Sequence, residues 1–135
     1  MPRRSHLPSA LAGTSALFLL TAGAAHASFV ANFHANYYDG PNSLFVFGNE
    51  GTSGTISGND GFNQTFTIDA TGVFSLALGP GGREMTGSGT VNNLSLLVES
   101  ADPISGLALN RALATTDMTT LLDLDGLSTK YRVLT

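Results

Sequence analysis

The 135-residue sequence contains no cysteine and no tryptophan, and only six Lys or Arg against ten Asp or Glu. Each shortage removes a class of explanation. Without cysteine there is neither a disulfide framework nor a thiolate nucleophile, so an exported form of this chain must hold its fold by its apolar core alone. Three histidines without cysteine are a poor source of the usual zinc ligand set. Few cations, none in a long run, leave no positive footprint for nucleic acid and none for a basic helix lying on a membrane. Long apolar runs are scarce too. The tightest, Ala16-Leu17-Phe18-Leu19-Leu20, is far short of the ~20 residues a spanning helix requires.

That run belongs to an ordered pattern. Arg3 and Arg4 come first, an apolar and small-residue stretch from Leu11 to Ala25 follows, and Ala25-His26-Ala27 closes with the small-x-small signature of a cleavage site. The pattern predicts a signal peptide over residues 1–27, cleaved after Ala27, and a mature domain over residues 28–135. His6 and Leu7 after Ser5 do not suit a twin-arginine motif, so the arginine pair reads as an ordinary basic leader. The expected location is secreted, extracellular or periplasmic, with no membrane association once the leader is removed. The mature part keeps four cations against ten carboxylates, a net charge of −6, and a single histidine, His34. It is long enough for one modest core. An exported chain without cysteine also suits a bacterial source.

What is present is Gly, Ser, Thr and Asn around short apolar runs, the pattern of an antiparallel all-β sandwich or barrel. Phe29 to Phe33 reads as an opening strand and Tyr37 to Asn42 as a turn. Ser43 to Gly48 is apolar on both faces, as in a strand buried between layers. Gly51 to Gly58 reads as a short strand and Asn59-Asp60-Gly61 as a turn. In Phe62 to Ile68, Phe62, Phe66 and Ile68 share one face. Asp69 to Gly72 reads as a four-residue hairpin loop, returning through Val73 to Leu78 with Phe74, Leu76 and Leu78 together. Gly79-Pro80-Gly81-Gly82 is expected to break regular structure. Leu94, Leu96 and Val98 alternate next, and Ser100-Ala101-Asp102-Pro103 makes a tight connection. The strand Ile104 to Leu109 follows. Its Gly106 and Ala108 leave room for a bulky neighbour, for which Phe45 and Phe47 are the candidates. Thr115 to Leu124 reads as a strand with a polar edge, Asp125-Gly126 as a turn, and Tyr131 to Leu134 as a last strand, inside which the chain stops.

No motif in this chain assembles chemistry. A Ser-His-Asp hydrolase would depend on His34, and no Gly-x-Ser-x-Gly accompanies it; His34 reads as a partly exposed strand-end residue. With Gly126 at the sixth position of an EF-hand loop, Asp123 and Asp125 fall correctly. The first and twelfth positions are then Leu121 and Arg132, and the motif fails at both ends. A calcium site of another kind could draw on Asp117, Asp123 and Asp125, or on Asn59 and Asp60, although Asp and Gly also simply make turns. Gly79 to Glu84 lacks the Gly-Lys-Ser/Thr of a phosphate loop. No pair among the ten carboxylates is marked out for glycoside hydrolysis. Asn63-Gln64-Thr65 and Asn93-Leu94-Ser95 match the N-glycosylation sequon, a chance match in a bacterial protein. The sequence therefore names no catalytic, cofactor, metal or ligand-binding residue, and predicts a protein that is not an enzyme and carries no cofactor.

Several signals stand in a fixed order near the C-terminus: Ser100-Ala101-Asp102-Pro103-Ile104-Ser105, then Ala108-Leu109-Asn110, Thr116-Asp117, Leu121-Leu122, Leu127, and Lys130 to Thr135. Upstream stand Phe29 to Phe33, Asn36-Tyr37, Gly54 to Ser57 and the Phe62 to Leu78 region. This order resembles the front part of the N-terminal domain of the IgGFc-binding protein family, which also occurs in bacterial exported and cell-surface proteins. Gly126 to Lys130 departs from the family's usual Leu-Gly before the last strand, and the family's domain runs on beyond Thr135. The resemblance implies an Ig-like antiparallel β-sandwich in a secreted or cell-surface binding or adhesion module, with an extracellular protein or glycan as partner. It carries over no IgG-binding residue. The alternative expectation is a truncated structural sandwich module of a longer exported protein, with no ligand of its own.

Overall fold

A computed structural model describes residues 26–35, 40–113 and 115–127. The expected leader (residues 1–25 of it), the first half of the Tyr37 to Asn42 turn (residues 37–39) and the expected last strand lie outside these residues. The described chain is all-β with antiparallel sheets. In chain order the strands are β1 (Ala27–Ala31), β2 (Phe33–His34), β3 (Pro41–Phe47), β4 (Ser53–Gly58), β5 (Asn63–Thr67), β6 (Val73–Pro80), β7 (Glu84–Met85), β8 (Leu96–Ser100), β9 (Ser105–Arg111) and β10 (Thr116–Leu121). A short 3-10 helix, Leu124–Gly126, follows β10.

One four-stranded sheet has the order β1-β8-β4-β5 and the other β10-β9-β3-β6, while β2 and β7 form a small parallel pair. The two large sheets bury a shared core. Phe29, Ile56, Phe66, Leu96 and Val98 come from the first, Leu44, Val46 and Ala108 from the second, with Phe33 and Ile68 at the margins. Alternate residues of each strand face inward, so removing each large side chain from water contributes roughly 1.5–3 kcal/mol.

Gly106 shows how closely the layers meet. A Cβ there would stand 2.5 Å from Phe29 Cζ and 3.1 Å from Leu121 Cδ1. The bulky neighbour expected beside Gly106 is thus Phe29 from the opposite sheet, and not Phe45 or Phe47. Those two lie on the outward phase of β3, since it is Asn42, Leu44 and Val46 that are fully buried. The strand is accordingly buried on one face and only partly covered on the other.

Two connections join adjacent strands of one sheet, β4 to β5 and β9 to β10. The Asp69 to Gly72 loop does not make a hairpin. β5 pairs with β4 and β6 pairs with β3, so the loop carries the chain from one sheet to the other. Its tightness misleads because it has turn chemistry: Asp69 Oδ1 accepts from Thr71 N at 2.8 Å and Gly72 has φ +77°. Alternating apolar residues on both flanks fit a crossing as well as a hairpin, and the Phe66 and Phe74 rings meet across the layers at 5.5 Å. The Ser100 to Pro103 connection likewise passes between sheets.

Pro41 and Asn42 lie in β3 rather than in a turn, and β6 continues through Gly79 and Pro80 rather than breaking before them. They face each other: Pro41 opposes Pro80 and Asn42 opposes Gly79, with the register shifting between Asn42 and Ser43. A positive φ of 76° at Gly79 absorbs that bulge, and the prolines are tolerated because Pro41 is the first residue of β3 and Pro80 ends the edge strand β6.

Candidate functional site

Three polar features could carry chemistry, and two of them share Asn110. The first is a clamp around Arg83. Its Nη1 and Nη2 bond the two carboxylate oxygens of Asp60 at 3.0 and 2.9 Å, its Nε donates to the Leu94 carbonyl at 2.9 Å, and its guanidinium lies 5.0 Å from the Phe62 ring centroid. The hydrogen bond from Arg83, with help from Phe62 N–H, holds the Asp60 carboxyl below its ordinary pKa. Arg83 has φ +63°, unusual for a residue with a side chain. The clamp ties three loops together, and each guanidinium nitrogen of Arg83 makes a bond within the chain.

The second is a buried amide pair. Asn42 and Asn110 oppose each other on β3 and β9. Asn42 Nδ2 donates to Gly82 O at 2.9 Å, while its Oδ1, fully buried, has no partner. Asn110 Nδ2 donates to the His34 carbonyl and lies 3.5 Å from Glu84 Oε1. Glu84 is only 6% exposed.

The third is a cleft on the side of the sandwich where β1 and β10 lie. It has two compartments that share Asn32, His34 and Thr119. The polar one, about 260 Å³, continues over Phe33, Ala108, Asn110, Asp117 and Met118. The apolar one, about 350 Å³, continues over Val30, Thr120, Leu121, Leu122, Leu124 and Leu127. Asp123 caps the 3-10 helix, its Oδ1 accepting from Asp125 N at 3.0 Å, and so sets Leu124 and Leu127 beside the cleft. No Lys or Arg is among the described residues lining either compartment.

Consecutive residues of β10, from Asp117 to Leu121, line this cleft. Neighbouring side chains of a strand point to opposite faces, so a cleft lined by all of them runs along the strand's edge. β10 pairs with β9 on its other side, and every residue of β10 except Leu121 is exposed. Met118 is 65% and Leu122 66% exposed.

The residues weighed from sequence fare differently. His34 ends β2 and is exposed, as expected of a strand-end residue, but it also sits where the two compartments join. The possible calcium ligands are dispersed: Asp117 borders the cleft, Asp123 and Asp125 belong to the 3-10 helix, and Asp60 is bound to Arg83. Among the described residues no three His, Cys, Asp or Glu side chains group to hold a metal. Asn32, Asn110 and Thr119 were not singled out by sequence. A signal existed for Asn110, which continues the inward phase of Gly106 and Ala108, a position where an amide is unusual. Among the described residues no helix is long and apolar enough to cross a membrane. No family model, no curated protein and no solved structure matches the chain.

Proposed function

We propose that this chain is a non-catalytic binding module of Ig-like sandwich type. It is exported by a leader cleaved after Ala27 and either secreted or displayed at the cell surface. The observation that carries the reading is the cleft along β10, where exposed Met118 and Leu122 adjoin a polar compartment at a sheet edge that no other described strand pairs with. Contiguous apolar exposure rimmed by polar groups is characteristic of interaction sites. The resemblance to the IgGFc-binding protein N-terminal domain, the leader-like N-terminus and the lack of a nucleophile–base pair among the residues read above all favour the same class. Fold alone would not. The partner class is an extracellular protein or a glycan.

The alternative is a structural sandwich module of a longer exported protein, whose neighbouring domain covers Leu122, Leu124 and Leu127. Screening the full-length product on surface-protein and glycan arrays separates the two. Capture that is lost on Met118→Ser combined with Leu122→Ser supports the binding module. A cooperatively folded protein that captures nothing supports the structural one.

A further inference from the structure

We propose that the cleft takes an extended segment of a partner protein, bearing a Lys or Arg beside apolar side chains, added as a strand along the outer edge of β10. This deepens the binding-module reading and rests on it.

Two independent observations define the occupant. The first is the edge itself. Because the cleft runs along β10, it faces the backbone N–H and C=O groups that β9 does not use. Satisfying such groups with an added strand is a common mode of peptide recognition. The six residues of Thr116–Leu121, at about 3.3 Å each, set the length of the added segment at five or six residues.

The second is the charge distribution. Asp117 borders the polar compartment, and Glu84 stands behind Asn110, itself part of the lining, with Asn110 Nδ2 3.5 Å from its Oε1. The described lining holds one carboxylate, that of Asp117, and no Lys or Arg, and Glu84 lies nearly buried behind it without an ion pair among the described residues. A partner's ammonium or guanidinium in the polar compartment complements the Asp117 carboxylate. The other end, at Leu121 and Leu124, takes an apolar side chain. The ends of the cleft therefore differ in what they accept, which orients the segment as well as attracting it.

The test uses the full-length protein and a fluorescent hexapeptide, Ser-Arg-Ser-Val-Ser-Leu, read by anisotropy. Its counterparts carry Glu in place of Arg, or N-methyl groups on the backbone. The arginine peptide is expected to bind at least about tenfold more tightly than the glutamate peptide, since like charges across an interface are strongly disfavoured. The N-methylated peptide is expected not to bind. Asp117→Asn weakens the arginine peptide about threefold, as befits an exposed charge, and leaves thermal unfolding unchanged. Equal binding of the Arg and Glu peptides, or of the N-methylated one, overturns the proposal. So does binding that emerges only in Lys130→Glu combined with Arg132→Glu, which assigns the cleft to the chain's own basic segment. Array capture without any peptide preference overturns this inference and leaves the binding module standing; no capture in either assay removes both.

Discussion

Two polar regions of this small sandwich are built to opposite ends. Around Arg83 each guanidinium nitrogen meets an acceptor: two bonds to Asp60, one to the Leu94 carbonyl, and a ring beneath the guanidinium. Along β10 the reverse holds, with Thr, Asp and Met side chains exposed on an edge strand, an apolar recess beside them and a buried Glu84 nearby. Groups that saturate one another within the chain hold loops in place, whereas groups exposed along an edge remain available to something else.

Substitutions can break that contrast, and the largest effect is expected in the core that both regions share. Phe29→Ala removes the ring that fills the space over Gly106 and lowers stability by about 3–5 kcal/mol, read by urea unfolding. Gly106→Ala attacks the same contact from the other side. Its new Cβ would stand 2.5 Å from Phe29 Cζ, and overpacking of this kind lowers stability by about 1–3 kcal/mol.

The clamp comes next. Arg83→Ala loses the exposed Asp60 pair together with the part-buried bond to Leu94 O, the latter an effect of about 1–2 kcal/mol for a bond from a charged donor. The pH dependence has a definite sign. Asp60 has its pKa lowered by Arg83 in the folded protein. Its contribution is therefore fully present above the ordinary carboxylate pKa and disappears as the pH falls through the lower folded value. Asp60→Asn should thus destabilise more at pH 7 than at about pH 2.5 in paired unfolding curves. The smallest effects on stability belong to the open side: Met118→Ser and Leu122→Ser should each change it by no more than about 0.5 kcal/mol, while array capture falls.

The layers of this fold were legible because alternation is a local signal. Leu96 and Val98, Phe66 and Ile68, and Gly106 and Ala108 occupy the inward phase that their spacing implies. Pairing between sheets was less legible, because it is decided by distant strands. The Asp69 to Gly72 loop carries the residues of a tight turn, and nothing within it reveals that β6 is to pair with β3. Gly79 and Pro80 read as breakers because their pairing with Asn42 and Pro41 through a bulge depends on a segment nearly forty residues away. The cleft was the least legible. Asn32, Asn110 and Thr119 lie on different strands, and only the meeting of the β1 and β10 sides brings them together around His34.

The central claim is that the β10 side recognises a partner while the Arg83 end serves the fold. Backbone amide chemical-shift mapping of the full-length protein, titrated with Ser-Arg-Ser-Val-Ser-Leu, tests it most directly. The expected shifts are concentrated at residues 116–121 and 32–34, with little change at Asp60, Phe62 and Arg83. Shifts centred on the Arg83 clamp, or no saturable shift anywhere, would contradict it.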